Sequence, residues 1–195
     1  MSEPNIQSAA EPLFEFDRKA RDLFVPYRRG PVAKALKRIG DLGDQPQLRA
    51  LCIGLFALGL VRSDARMIRA GARMLVSHEV ATMTKNVVKR RIDRSRPRSA
   101  SAENSHRPTP GDSTAKEDTS FPSGHSAGAV AVAGAFAALY PEHRGTAMAA
   151  GVGIGLIQVP TCAHYPSDVA AGLTIGALAD AAVGRVLRLF GSRAG

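Results

Sequence analysis

The sequence has few aromatic residues and little with which to build a disulfide or a metal site. Only 5% of its 195 residues are aromatic, and it has no tryptophan and two cysteines. Cys52 and Cys162 lie far apart in apolar runs, so we interpret both as buried thiols. No Cys/His cluster has metal-site spacing, and the basic residues are not interleaved with aromatic ones. We therefore expect neither a zinc site nor a nucleic-acid interface.

Charge is absent from two long stretches. No Lys, Arg, Asp or Glu occurs from 119 to 141 or from 145 to 167, and each run is long enough to span a bilayer. The mean hydropathy of −0.07 is low for a multispanning protein and leaves a soluble helical bundle open, but two polar tracts lower that average. We therefore predict an all-α fold, a membrane-embedded helical bundle of about five long helices.

The first 45 residues differ in character from the rest. Residues 1–12 are polar, without the basic start and apolar core of a secretory signal, and we expect them to be disordered. Short amphipathic helices are predicted at 13–24 and 32–39; they suit a membrane interface, although helices packed on a soluble core show the same pattern. We predict a polar and amphipathic N-terminal segment at 1–45 and a helical bundle at 46–195, with a flexible loop at 98–120.

The charge balance favours anionic partners. The formal net charge is +9, which suits nucleic acid, anionic lipid headgroups or phosphorylated substrates. Charge alone does not choose among these classes.

One stretch, residues 121–126 with the sequence FPSGHS, combines a helix start, a glycine and a histidine. Ser123 is a good N-cap for an apolar helix that we expect to end near Leu139. The free amides and the dipole of a helix start attract anions, and Gly124 lets a ligand approach the backbone closely. His125 would then stand beside the bound anion. An ordinary capped helix with a solvent-exposed histidine would have the same hexapeptide.

Two further residue pairs have spacings that suit a polar site. Lys89 and Arg96 are about two helical turns apart, so both fall on nearly one face of a helix that we predict to end at Arg96. Pro97 follows at once and restricts Arg96 toward an extended conformation. His164 and Asp168 are one turn apart, so the acid can orient the histidine ring and hold one tautomer.

Taken in order, these residues resemble the motifs of the type 2 phosphatidic-acid phosphatase superfamily, which also contains vanadium haloperoxidases and bacterial acid phosphatases. Residues 89–97 fit K-x6-R-P, residues 122–125 are P-S-G-H, and residues 164–168 fit H-x3-D. Each motif alone is weak, but three in order at plausible spacing are specific. One position departs from the family pattern. The third motif begins S-R-x5-H, and Ile157 and Gln158 stand there in this chain, so one phosphate-binding arginine is missing.

The resemblance implies a phosphatase that needs no metal or other cofactor. His164 is the implied nucleophile, which forms a phosphohistidine, with Asp168 orienting its ring and His125 as the general acid. The implied phosphate-binding groups are Lys89, Arg96, the amides of Ser123 and Gly124, and Gln158. Because glutamine brings a hydrogen bond but no charge, we expect a slower enzyme than its relatives, and Gln158→Arg to raise kcat/KM several-fold.

The predicted function is therefore hydrolysis of a lipid phosphomonoester or diphosphate in a membrane. Prenyl diphosphate, phosphatidate and phosphatidylglycerophosphate all remain open as substrates, and so does the oligomeric state. We expect a multi-pass protein of a bacterial inner membrane. The alternative is a non-catalytic membrane protein that binds anionic lipid headgroups in a degenerate phosphatase pocket, and Gln158 is the feature that favours it.

Overall fold

Helices form most of this computed structural model, which describes residues 6–100 and 106–191. The seven α-helices within these ranges are Ile6–Phe24 (α1), Pro31–Gly40 (α2), Gln45–Val61 (α3), Ala65–Lys89 (α4), Gly124–Leu139 (α5), Arg144–Ile157 (α6) and Pro166–Gly191 (α7). Two short strands, Ile92–Asp93 (β1) and Thr109–Pro110 (β2), pair antiparallel. The predicted all-α class is confirmed, with a bundle of five helices, α3 to α7, preceded by the N-terminal helices α1 and α2.

Helix α5 lies at the centre of the bundle. It packs against α4, α6 and α7, and α3 packs mainly against α4. Small residues bring α5 and α7 close together. A Cβ added to Gly172 would lie 2.4 Å from the carbonyl oxygen of Ser123, and one added to Gly176 would lie 2.3 Å from that of Ala127. This close approach fixes where the start of α7 lies relative to the start of α5.

Two ion pairs join helices of the bundle. Arg73 of α4 donates to both carboxylate oxygens of Asp180 in α7 at 3.0 and 3.1 Å. Arg49 of α3 contacts both oxygens of Glu79 in α4 at 2.6 and 2.7 Å. Ionisable groups are tolerated at membrane depth when they are paired in this way. By length and composition, one described helix, Pro166–Phe190, could cross a membrane, and Gln45–Val61 and Gly124–Leu139 are apolar but shorter.

Helix α4 ends at Lys89, so the prediction that it continues to Arg96 is wrong. Beyond Lys89 the chain becomes extended, and the amides of Arg94 and Arg96 donate to the carbonyls of Asp118 at 2.6 Å and Glu117 at 2.8 Å. Pro97 favours an extended conformation for Arg96, and the loop before α5 supplies the partners that these amides would have had in a helix.

The N-terminal segment is more ordered than its composition suggests. Helix α1 begins at Ile6, so the prediction of disorder is wrong for residues 6–12, and residues 1–5 lie outside the described ranges. Helices occur at both predicted N-terminal positions, as α1 and α2. On α1, Leu13, Phe16 and Leu23 are exposed while Asp17 is fully buried. In the loop at 98–120, residues 101–105 are not described, and the flexibility of this loop stays a prediction. The boundary at residue 45 between the N-terminal segment and the helical bundle also stays a prediction. Cys52 and Cys162 are buried free thiols, as expected.

Candidate active site

The start of helix α5 is built around Ser123, which is buried. Its hydroxyl accepts a hydrogen bond of 3.4 Å from the amide of Ser126 and caps the helix, as predicted. Its own amide donates to the backbone carbonyl of Asp168 at 3.0 Å. Contrary to the prediction, that amide is therefore occupied by α7 and is not directed at a ligand. Gly124 follows as the first helical residue and lines the cavity described next.

A polar cavity of about 270 Å³ lies at this end of the bundle and brings most of the predicted site residues together. Three cations from α4 and the segment after it line the cavity, namely Lys85, Lys89 and Arg96, and they face His125 and His164. Lys89 donates to the carbonyl of Thr119. Arg96 donates to the carbonyls of Lys116 at 2.8 Å and Ala163 at 3.0 Å. Burial, with Arg98 as a second cause, lowers the pKa of Arg96 from its usual value.

Lys85 is an addition that the motifs did not reveal. It lies one helical turn before Lys89, is only 7% exposed, and makes no hydrogen bond to any described residue. A Cβ added to Gly124 would lie 3.4 Å from its ammonium nitrogen. A buried cation without a partner, beside a helix start, is suited to bind an anion.

His164 is buried between a cation and a carboxylate. Its Nε2 lies 3.4 Å from the Nη1 of Arg96, and its Nδ1 lies 3.7 Å from the Oδ2 of Asp168 and 3.5 Å from the hydroxyl of Ser120. Burial is the main cause that lowers the pKa of His164 to about 4. The ring is therefore neutral near pH 7. An Nδ1–H directed at Asp168 would leave the Nε2 lone pair facing Arg96, which lines the cavity.

Asp168 is held by more partners than the sequence predicted. Its Oδ2 accepts from the hydroxyl of Ser120 at 2.5 Å and from the amide of Tyr165 at 2.9 Å. Its Oδ1 accepts from Nη1 of Arg94 at 2.5 Å. Ser120 stands just before the P-S-G-H motif, and Arg94 stands two residues before Arg96. The motif pattern distinguished neither residue.

His125 lies across the cavity from His164, with 6.4 Å between the ring centroids. Its Nε2 lies 2.8 Å from Oδ1 of Asp44, the residue before α3. Asp41 also lies close. One potential ligand atom from each of Asp41, Asp44 and His125 lies within 4.8 Å of the other two. The sequence led us to expect no such carboxylate cluster, because these acids are far from His125 along the chain. Acidic groups of this kind are common without a metal, and we assign none.

Gln158 is not in the cavity that holds Lys89 and His164. It lines a neighbouring cavity of about 120 Å³, with Arg96, Arg98 and Lys116 among its neighbours. Its Nε2 donates to the carbonyl of Ile154 at 3.2 Å, and a Cβ on Gly40 would lie 2.9 Å from that nitrogen. Its role in phosphate binding stays a prediction.

Residues 70–190 match the family model described as the PAP2 superfamily. A lipid A 1-phosphatase of Rhizobium etli is 34% identical over 157 residues, which cover 73% of this chain and 67% of that protein. A second lipid A 1-phosphatase, from Rhizobium johnstonii, is 35% identical over 170 residues, covering 78% and 68%.

The fold is similar to a solved structure. The crystal structure of a transmembrane PAP2 type phosphatidylglycerolphosphate phosphatase from Bacillus subtilis matches with a TM-score of 0.64, 21% identity, and coverage of 95% of this chain and 88% of that one. At this identity the similarity shows the fold alone. It confirms the prediction of a helical bundle.

Proposed function

This chain belongs to the PAP2 superfamily and is a membrane lipid-phosphate phosphatase, and we propose that it forms a phosphohistidine at His164. The observation that carries the proposal is the cavity in which Lys85, Lys89 and Arg96 face the buried ring of His164. We propose the 1-phosphate of lipid A as the first substrate to test, because two relatives are named lipid A 1-phosphatase. Prenyl diphosphate, phosphatidate and phosphatidylglycerophosphate are the competing substrates.

In the first step, the Nε2 lone pair of His164 attacks phosphorus and the bond from phosphorus to the leaving oxygen breaks. His125 gives its proton to that oxygen, which leaves as the hydroxyl of the lipid. The positive charge that develops on His164 is balanced by Asp168 on the other side of the ring. Lys85, Lys89 and Arg96 hold the phosphoryl oxygens as their charge redistributes.

In the second step, a water attacks the phosphohistidine and gives a proton to His125. The bond from Nε2 to phosphorus breaks, inorganic phosphate leaves, and both histidines regain their starting states. Proton transfer by a positioned side chain is typically worth about 10²- to 10⁴-fold in rate. Neither step requires a metal ion, because the three cations neutralise the phosphate.

The lipid part of the substrate has a place to bind beside the cavity. Gln45 and Pro46 at the start of α3 line the polar cavity. Further along the same helix, Leu48, Leu51 and Leu55 line an apolar cavity of about 310 Å³. An acyl chain could therefore lie along α3 while the phosphate stays at the bundle end. We place α3 to α7 across the membrane as a multi-pass protein of a bacterial inner membrane, with the site at one face.

The experiment that tests this function is phosphate release by the purified protein in detergent, with a metal chelator present. We expect release from at least one of the four lipid phosphates, inhibition by vanadate, and loss of at least 99% of the rate (roughly 10²-fold or more) in His164→Ala and in His125→Ala. His143→Ala is the matched control, because His143 lies beyond the opposite end of α5.

Two outcomes would overturn parts of this proposal. Unchanged release by His164→Ala would exclude that residue as nucleophile, and an obligatory divalent metal would exclude the mechanism. If the wild type binds lipid phosphates but never hydrolyses them, the chain is instead a headgroup-binding protein, the alternative that the missing arginine at Gln158 favours.

A further inference from the structure

Arg94 is buried beside the catalytic pair, and the sequence motifs assign it no role. Its Nη1 donates to Oδ1 of Asp168 at 2.5 Å and to the hydroxyl of Ser167 at 2.7 Å. Its guanidinium lies 4.1 Å from the ring centroid of Tyr165, within cation–π distance. Arg94 therefore binds the carboxylate oxygen of Asp168 that does not face His164.

The other terminal nitrogen of Arg94 is bound by Asp17, which comes from helix α1. Nη2 of Arg94 lies 2.6 Å from Oδ2 of Asp17, and both side chains are 0% exposed. Asp17 also accepts a 3.0 Å hydrogen bond from the amide of Ser167 at the start of α7, as well as one from its hydroxyl. By contrast, Glu15 and Asp22 of the same helix are exposed. The buried carboxylate thus joins α1 to the segment that carries Asp168.

The charges in this cluster explain why a second carboxylate is useful. Asp17 and Asp168 carry two negative charges and Arg94 one positive charge, so a single net negative charge remains, and Asp168 presents it to His164. Without Asp17, Arg94 would neutralise Asp168. Little would then stabilise the positive charge that forms when Nε2 of His164 bonds to phosphorus. Burial makes this balance important, since the effective dielectric constant is well below that of water.

We propose that Asp17 is a positioning residue of the catalytic centre, which acts through Arg94 to hold Asp168 in place and to leave it one net negative charge for His164. The inference rests on the proposed phosphohistidine mechanism. Asp17 lies outside the residues 70–190 that match the family model. The N-terminal helix α1 is therefore part of the catalytic apparatus.

The first test is Asp17→Asn, which removes the charge and keeps the shape. We expect kcat to fall about tenfold, because a unit charge roughly 10 Å away at an effective dielectric constant of ~20 changes a barrier by about that factor. KM should stay within about twofold, since Lys85, Lys89 and Arg96 are untouched. Rates are expressed per active site, counted by the stoichiometry of vanadate inhibition, so that a loss of folded protein does not count as slow catalysis.

The matched control is Glu15→Gln on the same helix. Glu15 forms an exposed ion pair with Lys19 at 2.9 Å, and its loss should leave kcat unchanged.

A double variant separates the charge from a purely structural role. Asp17→Asn combined with Arg94→Gln again leaves one net negative charge in the cluster. We expect its kcat per active site to be several-fold above that of Asp17→Asn alone. A structural role predicts the reverse, because the double variant has lost two buried ion pairs instead of one. If Asp17→Asn does not fold, the double variant is compared with Arg94→Gln, which keeps two net negative charges in the cluster. The charge role predicts a lower kcat per active site in the double variant, and an equal or higher kcat there overturns the proposal.

Wild-type turnover, measured in parallel, distinguishes the two hypotheses. If the wild type releases no phosphate from any of the four lipids, the proposed function fails. If the wild type is active and Asp17→Asn keeps kcat per active site within twofold, the proposed function stands and the role of Asp17 is wrong.

Discussion

Lys85 is expected to bind the substrate phosphate and, in the free protein, to destabilise the fold. Its side chain is 93% removed from solvent, since 7% remains exposed. It lines the cavity with Lys89 and Arg96, so two other cations lie close to it. Lys85→Met keeps the length of the side chain and removes the charge. A residue that serves catalysis at a cost to stability should show opposite changes in activity and in thermal stability.

The expected sizes follow from the geometry. A hydrogen bond to a charged group is worth about 1.5–3 kcal/mol, and each ~1.4 kcal/mol is a factor of ten in rate. We therefore expect kcat/KM of Lys85→Met to fall about 10- to 100-fold. Removing an unpaired buried charge should stabilise the free protein, and each 1 kcal/mol gained should raise Tm by about 2–4 °C for a chain of this size.

The assay combines phosphate release with thermal unfolding in the same detergent, with and without vanadate. Lys85→Met should lose rate and gain Tm, and vanadate should stabilise it less than it stabilises the wild type. Lys34→Met, at an exposed position of α2, is the control and should change neither quantity. Unchanged kcat/KM would refute the reasoning, and a lower Tm together with lost activity would show that Lys85 supports the fold instead. Gln158→Arg should raise kcat/KM more in the Lys85→Met background than in the wild type, because there it replaces a missing cation.

Two further predictions concern pH and packing. On the acid side, kcat/KM should fall as the pH drops through about 4, because burial lowers the pKa of His164 to about 4 and the protonated ring cannot attack; a pH–rate profile with its acid midpoint at the ordinary histidine value of about 6.5 would contradict this. Gly172→Ala and Gly176→Ala should both lower Tm, since each added Cβ would lie within 2.4 Å of a backbone carbonyl of α5. Of the two, Gly172→Ala should cost more activity because its clash is with Ser123; Gly153→Ala, whose Cβ meets nothing within 4 Å, is the control for both measurements.

Features that depend on local sequence could be predicted well. The Ser123 cap of α5 follows from residue pattern alone, and it occurs as expected. The meeting of the three motifs at one end of the bundle also follows, because successive helices alternate in direction. Such features need no knowledge of what packs against them.

The end of α4 could not be predicted from helix periodicity. The spacing of Lys89 and Arg96 suits one face of a helix, but the two side chains reach one cavity by different routes. Lys89 is the last residue of the helix, while Arg96 lies in an extended segment held by backbone bonds to Asp118 and Glu117. A pattern can thus place two residues in the same site for the wrong structural reason.

The missing arginine of the third motif shows a related limit. The sequence indicated that a cation was lost at Gln158. In the structure, Lys85 supplies a further cation to the cavity, from one turn before Lys89 on the same helix. Lys85 and Lys89 are four residues apart, so the sequence could have suggested that they share one face of α4. However, α4 also carries Arg73, Glu79 and other charges, and nothing in the sequence gave a reason to select Lys85.

Asp17 was beyond reach of sequence patterns for a stronger reason. It is one of several acids in an amphipathic helix, and its proposed role depends on Arg94 and Asp168, which lie 77 and 151 positions away along the chain. A fully buried acid on a helix whose apolar side chains Leu13 and Phe16 are exposed reverses the usual pattern. That reversal is explained if the membrane covers the apolar face while the acid completes a buried charge cluster. Helix α1 would then connect the membrane surface to His164 through two ion pairs. The position of α1 at the membrane and the reaction at His164 would therefore depend on each other.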